Sequence, residues 1–215
     1  MESATVRRRD PTNGAREATA EARAGAGWSV ADPGPLGLAA FALTTFVLSM
    51  FNAELVSKAG EPVVLGLALA YGGLAQLLAG MWEFRTGNTF GAVAFTSFGA
   101  FWISFWAYGA FFASEIPNKT DASHAVGLYL IAWGIFTTYM FVASLRTTVA
   151  ISVVFALLAA TFFLLGIGNS ATDTDIVKLG GWFGLATAVA AWYASFAAVT
   201  NSTFGRTVLP VKPLK

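Results

Sequence analysis

The chain has no cysteine, a single histidine, His124, and only 12% charged residues, and each shortage removes a class of function. Without cysteine there are no disulfides, thiolate nucleophiles, iron–sulfur clusters or cysteine-held zinc. One histidine cannot build a multi-histidine metal or haem site. The formal net charge of +1 gives no field that would gather nucleic acid, so no nucleic-acid partner is expected. No cluster of His, Asp or Glu sits beside the apolar stretches, so no enzyme activity, metal or cofactor is expected. What the chain has in excess is apolar length. Six long stretches, nearly free of charge, run from Pro35 to about Thr200, and the mean hydropathy is +0.63. About 20 apolar residues span the ~30 Å hydrocarbon core of a bilayer as a helix. The 215 residues leave room for little else, so the chain reads as one integral membrane domain.

The spans are expected at about 35–57, 62–82, 90–113, 125–145, 148–168 and 178–200. Turn chemistry separates them: Gly60-Glu61-Pro62, Arg85-Thr86-Gly87-Asn88, Pro117-Asn118-Lys119 and Asp173-Thr174-Asp175. Leu145-Arg146-Thr147 is a very short link and predicts antiparallel neighbours on either side. Residues 1–31 are polar, too poor in apolar surface to fold alone, and read as a disordered cytoplasmic tail. No apolar core of a secretory signal precedes Trp28. With the N-terminus in the cytoplasm, the inner segments hold Arg85, Arg146, Arg206, Lys212, Lys215 and the arginines of the tail, whereas the outer loops hold only Lys58, Lys119 and Lys178. That bias places both termini inside. Residues 211–215 are then a short cytoplasmic tail, and the expected location is the plasma (inner) membrane.

Inside the spans ionisable side chains are scarce: Glu54 and Glu83 lie near span ends, and no lysine is placed for a retinal Schiff base. A buried carboxylate of the kind ion-coupled pumps keep is not apparent. What remains is polar and neutral, including Thr44, Thr45, Ser49, Asn52, Tyr71, Gln76, Ser97, Thr161 and Asn169. Hydroxyls and amides can hold a small carboxylate without trapping it. Equally, Ser and Thr in membrane helices bond their own backbone or a neighbouring helix. The many glycines, Gly180 and Gly184 among them, suit close helix packing or tight subunit contacts. The third span is crowded with rings, from Phe90 to Phe112, of which Phe98 and Phe101 flank Gly99-Ala100 and can face inward. An apolar ring in a pore excludes hydrated ions by dewetting.

Several motifs together carry a family resemblance. Asp32-Pro33-Gly34-Pro35-Leu36-Gly37-Leu38 resembles the Asn-Pro-Ala-Pro-Leu-Gly-Leu signature of the acetate uptake transporter family. Tyr71-Gly72-Gly73-Leu74-Ala75-Gln76, Gly87-Asn88-Thr89-Phe90-Gly91, the run Ala94–Trp102, Gly166-Ile167-Gly168-Asn169 and Phe204–Pro210 extend it along the membrane region, 32–210. The resemblance implies an all-α fold, a polytopic membrane protein whose six transmembrane helices surround a substrate path. It also implies a homohexamer in the lipid bilayer and passage of acetate, in some members succinate or related short carboxylates. The family's narrow apolar constriction maps to Phe41, Phe98 and Leu158, with Thr44, Asn52, Tyr71, Gln76 and Ser97 as polar partners of the path. Proton symport and channel-like passage both remain open, and a non-transporting sensor or scaffold is the rival of a different class.

The signature departs from the family at Asp32, where asparagine is usual, and at Gly34, where alanine is. Either Asn or Asp can cap a helix that begins with proline in its first turn. An ionised Asp32 would repel anions at a cytoplasmic mouth. Phe98 stands where some relatives carry Tyr, which makes the constriction drier.

Overall fold

The structure, a computed structural model, describes residues 30–214. The chain divides into Met1–Ala31 and Asp32–Lys215, and the account below concerns the second unit. Residues 1–29 of the expected disordered tail lie outside the described residues. Among the described residues, six helices are long and apolar enough to cross a membrane: α1 (Gly34–Asn52), α2 (Val63–Thr86), α3 (Thr89–Glu115), α4 (Lys119–Ser144), α5 (Val149–Ala171) and α6 (Thr174–Phe204). The shortest, with 19 residues, is about 29 Å long, enough for the hydrocarbon core. A bilayer core offers no water to backbone N–H and C=O groups, so helices that satisfy them internally are the natural solution.

The helix ends differ from the hydropathy reading, and caps explain why. α4 begins six residues before the expected start at 125, because the Asn118 side chain accepts from Thr120 N at 2.8 Å. α6 likewise begins at Thr174: Asp173, expected within a turn, caps the helix by accepting from Asp175 N (2.9 Å) and Ile176 N (3.2 Å). α1 stops at Asn52, five residues short of the expectation, and Glu54 turns the chain with φ 56°. Polar first turns and an early stop are invisible to a hydropathy window, because they lie at its edges. Between α2 and α3 the sequence is fully used. Gly87 ends α2 at φ 80°, and Asn88 caps α3 by accepting from Gly91 N at 3.0 Å.

Packing is uneven around the bundle. α4 lies against α5, α5 against α6, and α6 against α1, as antiparallel neighbours; α2 pairs chiefly with α3. The α1–α6 contact is built from small residues. A Cβ on Gly181 would meet the Asn52 carbonyl carbon at 2.7 Å, and Ala40, Ala42, Ala188, Ala191 and Ala197 are fully buried. In lipid such close backbone approach supplies the attraction that water would supply elsewhere. The α3 and α4 backbones approach little, and aromatic rings bridge the gap. Phe101 stacks on Tyr129 at 5.6 Å and meets Trp133 edge-on at 5.2 Å.

The C-terminal residues, expected as a tail, are tied to the bundle. Asn201 holds Val208 N, Leu209 N and the Leu209 carbonyl, and Thr148 forms an antiparallel bridge with Pro213. At the opposite end Lys178 pairs with Glu54 at 2.8 Å, joining the start of α6 to the end of α1.

Two outcomes follow from this packing. Gly181→Ala puts a methyl against backbone that cannot yield, so the thermal midpoint in detergent falls, by overpacking worth about 1–3 kcal/mol. Gly66→Ala, whose Cβ would meet nothing within 4 Å, leaves it unchanged or raises it, since alanine is the better helix former. The hydrogen bond from Lys178 holds the Glu54 carboxyl below the usual glutamate range. Its stabilising contribution is therefore present above the unfolded-state pKa and is lost as pH falls through the lowered folded value. Glu54→Gln should remove that small acid-side dependence from a plot of midpoint against pH; an unchanged plot would show the pair to be solvent-screened.

Candidate functional site

The odd-numbered helices run in one direction, away from the end that carries residues 30 and 214. Phe41 lies seven residues into α1, and Phe98 and Leu158 each nine residues into α3 and α5. At 1.5 Å per residue, all three stand about 10–14 Å from those helix starts, at one level. All three are buried.

Above that level the bundle opens into a cavity of about 600 Å³, within the range of small-molecule sites. Phe41 and Leu158 line its deep end, and Phe101 and Phe162 line it about one turn higher. Its rim carries Lys58, Glu61, Lys119 and Asp173, all from connecting segments or helix ends, so charges of both signs are balanced there. Between rim and floor the described lining residues are uncharged. Asn52, Ser123 and Asn169 stand in the wall, where Ser123 Oγ donates to the Asn169 carbonyl at 2.9 Å and Asn169 Nδ2 donates to the Leu165 carbonyl at 2.8 Å. Tyr129 also lines it, with its hydroxyl 2.7 Å from Ser104 Oγ and 3.1 Å from the Phe101 carbonyl.

Phe98 stands beside Phe41, off the cavity's lining, at the centre of a ring cluster. Its centroid is 5.8 Å from Phe41, 5.4 Å from Phe136, 6.0 Å from Trp133, 6.0 Å from Phe155 and 6.3 Å from Phe162. Such pairs contribute about 0.5–1.5 kcal/mol each beyond burial, without strict additivity. Phe155 also packs on Phe90 at 5.2 Å, nearer the start of α3. The apolar plug is thus deeper than the three residues singled out from the sequence.

The other sequence candidates divide. Asn52 reaches the cavity. Thr44 is fully buried outside its lining, donating to the Ala40 carbonyl at 3.0 Å and packed against Gly72. Tyr71 lies in a π-helical turn of α2, Ala70–Ala75, also off the cavity. Gln76 is 1% exposed and its Oε1 has no partner within the protein. Ser97 lines a separate shallow hollow with Ala132, Trp133 and Phe136.

The signature residues build the start of α1. Asp32 Oδ1 accepts from Gly34 N at 2.9 Å, and the Pro35 carbonyl accepts from Ser195 Oγ of α6 at 2.7 Å. Pro33 is buried, whereas Leu36 is exposed. Gly37 is required by the Phe95 ring, which a Cβ would meet at 2.6 Å. Glu83, 2% exposed, reaches the same place: its Oε2 accepts from Thr86 Oγ1 at 3.0 Å, and its other oxygen faces Gly34 and Gly91. Its nearness to a span end conceals this burial from the sequence.

Sequence reasoning also passed over the arrangement one turn above the constriction. Thr45 follows Phe41 by four residues, Trp102 follows Phe98 by four, and Thr161 follows Leu158 by three. All three line the cavity. The signal was the helical spacing of i and i+3 or i+4, which puts a polar group on the face of each constriction residue.

These features define a class: a polytopic all-α membrane protein with a cavity that ends on apolar rings within the bundle. The chain belongs to the GPR1/FUN34/yaaH family, the acetate transporter family, whose model matches residues 17–215. It is 40% identical over 184 residues to the succinate-acetate/proton symporter SatP of Escherichia coli K12, covering 85% of this chain and 95% of that protein. It is 44% identical over 195 residues to acetate permease A of Emericella nidulans, covering 84% of this chain and 65% of that one. The chain spans 62–65% of the length of the first fungal relatives it matches. The solved structure of the bacterial acetate channel SatP superposes with a TM-score of 0.78 at 38% identity, covering 85% of this chain and 99% of that one.

Proposed function

We propose that this protein passes acetate and related short carboxylates, succinate among them, across a membrane by a channel-like route. The observation that carries the reading is the cavity of about 600 Å³ that ends on Phe41 and Leu158, with Phe98 packed against Phe41. Such a plug excludes hydrated ions and admits a small solute that can shed its water. The names of the bacterial and fungal relatives support carboxylates as the substrate class. In this reading Phe41, Phe98 and Leu158 form the constriction, and Asn52 is a polar contact in the approach. Thr44, Tyr71, Gln76 and Ser97 act from the wall behind it. The same reading places both termini in the cytoplasm, the cavity facing outward from a plasma (inner) membrane, and the subunits in a homohexamer. Exposed apolar residues such as Leu78, Leu128 and Phe196 suit lipid or subunit contacts.

One observation favours a second reading, acetate–proton symport: the Escherichia coli relative is named as a proton symporter. Labelled acetate uptake and acetate-evoked current in liposomes holding the pure protein separate the two. Downhill flux with acetate-selective current supports a channel, and uphill accumulation driven by a pH gradient supports symport. No flux in either condition would count against transport by the protein.

The plug makes its own prediction. Phe98→Ala removes the ring that five others contact, costing about 3–5 kcal/mol of stability. In the fraction that remains folded, larger carboxylates should permeate better relative to acetate. Phe98→Leu, a milder change, should shift selectivity the same way; flux and selectivity equal to wild type in both variants would remove Phe98 from the barrier.

A further inference from the structure

Five threonines within the spans, Thr44, Thr137, Thr138, Thr161 and Thr187, donate to the carbonyl four residues back, at 2.7–3.0 Å. Thr45 does not. Its hydroxyl is buried with no hydrogen-bond partner in the protein, and the Trp102 indole Nε1 is in the same condition. Thr45 is 6% exposed and Trp102 2%. Gln76 Oε1 and Thr96 Oγ1 are also unpartnered, but those residues lie off the cavity, whereas Thr45 and Trp102 both line it. They stand one turn above Phe41 and Phe98, on the two helices that carry those rings. An indole N–H can only donate, and a threonine hydroxyl can donate as well as accept. Each can therefore donate to a carboxylate oxygen.

We propose that Thr45 Oγ and Trp102 Nε1 are a carboxylate station on the approach side of the constriction, closed in this conformation and uncovered when the surrounding rings part. The inference rests on the transport reading above and assigns that site its specificity-determining donors. Both atoms are shielded in the closed floor, where neither finds an acceptor. A carboxylate arriving as Phe41 and Phe98 separate satisfies both at once, so it binds the open floor better than the closed one. Differential affinity of that kind shifts a conformational equilibrium toward the form that binds. The substrate thereby favours its own passage. Because neither donor carries charge, the bound anion meets no deep electrostatic trap and can leave.

The test uses the full chain in liposomes, with initial acetate flux measured against acetate concentration. Thr45→Val and Trp102→Phe keep the approximate shape and remove one donor each. Each should raise the half-saturating acetate concentration about tenfold, the usual consequence of losing a hydrogen bond to a charged group. Thr45→Ser should stay within about twofold of wild type. The thermal midpoint of Thr45→Val should be unchanged or higher, because its hydroxyl bonds nothing in the closed fold. In detergent, the indole N–H resonance that vanishes in Trp102→Phe should shift when sodium acetate, but not sodium chloride, is added to wild-type protein. That reading needs no folded variant other than the one used for assignment. Absence of wild-type flux would overturn the transport reading itself. Wild-type flux with unaltered half-saturation in both variants would overturn the station alone. So would a Thr45→Val protein that loses stability but keeps its half-saturation, since the hydroxyl would then serve the fold, and so would an indole resonance that acetate leaves in place.

Discussion

In hydrocarbon, a polar group without a partner has no water to fall back on, and that constraint organises this protein at every scale. It makes the spans helical. It sends the hydroxyls of Thr44, Thr137, Thr138, Thr161 and Thr187 back to their own helix carbonyls, so that they cost the bundle little. It also explains why Asn88, Asn118, Thr148 and Asp173 stand where helices begin, each accepting from backbone N–H groups of the first turn. Against this background the exceptions carry meaning. Thr45 and Trp102 break the rule beside the cavity, at the level where a permeating solute would need donors.

The cavity itself arises from two incompatible packing chemistries. On the α1–α6 side, glycine and alanine bring backbones almost into contact, and the bundle is dense. On the α3–α4 side, Phe98, Phe101, Tyr129, Trp133 and Phe136 hold two helices apart by the thickness of their rings. A bundle that is tight on one side and propped open on the other leaves a tapering space between. The same rings that prop the wall also cap the space, since Phe98 touches Phe41 of α1, Phe155 and Phe162 of α5, and Trp133 and Phe136 of α4. Movement of one ring is therefore felt in four helices. This couples the ring cluster to the fold.

The existence and number of the spans were legible because hydropathy over about 20 residues is a sum that tolerates local detail. Span ends were not, because the deciding features are single side chains such as Asn118 and Asp173, which read as loop and turn residues until their acceptor geometry is known. Which face of each helix points inward was harder still. In a soluble helix polar residues mark the outside, but here lipid and core are both apolar and no stripe distinguishes them. Thr44 and Thr45 show the consequence: adjacent in sequence and alike in chemistry, one packs against Gly72 behind the wall and the other lines the cavity. Glu83 was read as a span-end acid, and its burial between the starts of α1 and α3 depends on contacts from Gly34 and Gly91 that no local pattern reveals.

The distribution of charge bears on how a carboxylate and a proton could travel together. Lys58, Glu61, Lys119 and Asp173 mark the rim of the cavity, and Asp32 and Glu83 gather about Gly34 at the other end of the bundle. Between these two sets the described residues along the cavity and the plug are neutral. A proton taken up on a side chain at either end has no titratable relay by which to cross the plug. Coupling to a pH gradient would then have to use the permeant as its own carrier, a carboxylic acid crossing the rings in neutral form. Dry rings favour that species, since desolvating an anion costs far more than desolvating its acid. Neutral donors above the plug favour the anion on approach. On the proposed transport reading, the rings and the approach prefer different protonation states of one solute, with the exchange at the level of Phe41, Phe98 and Leu158.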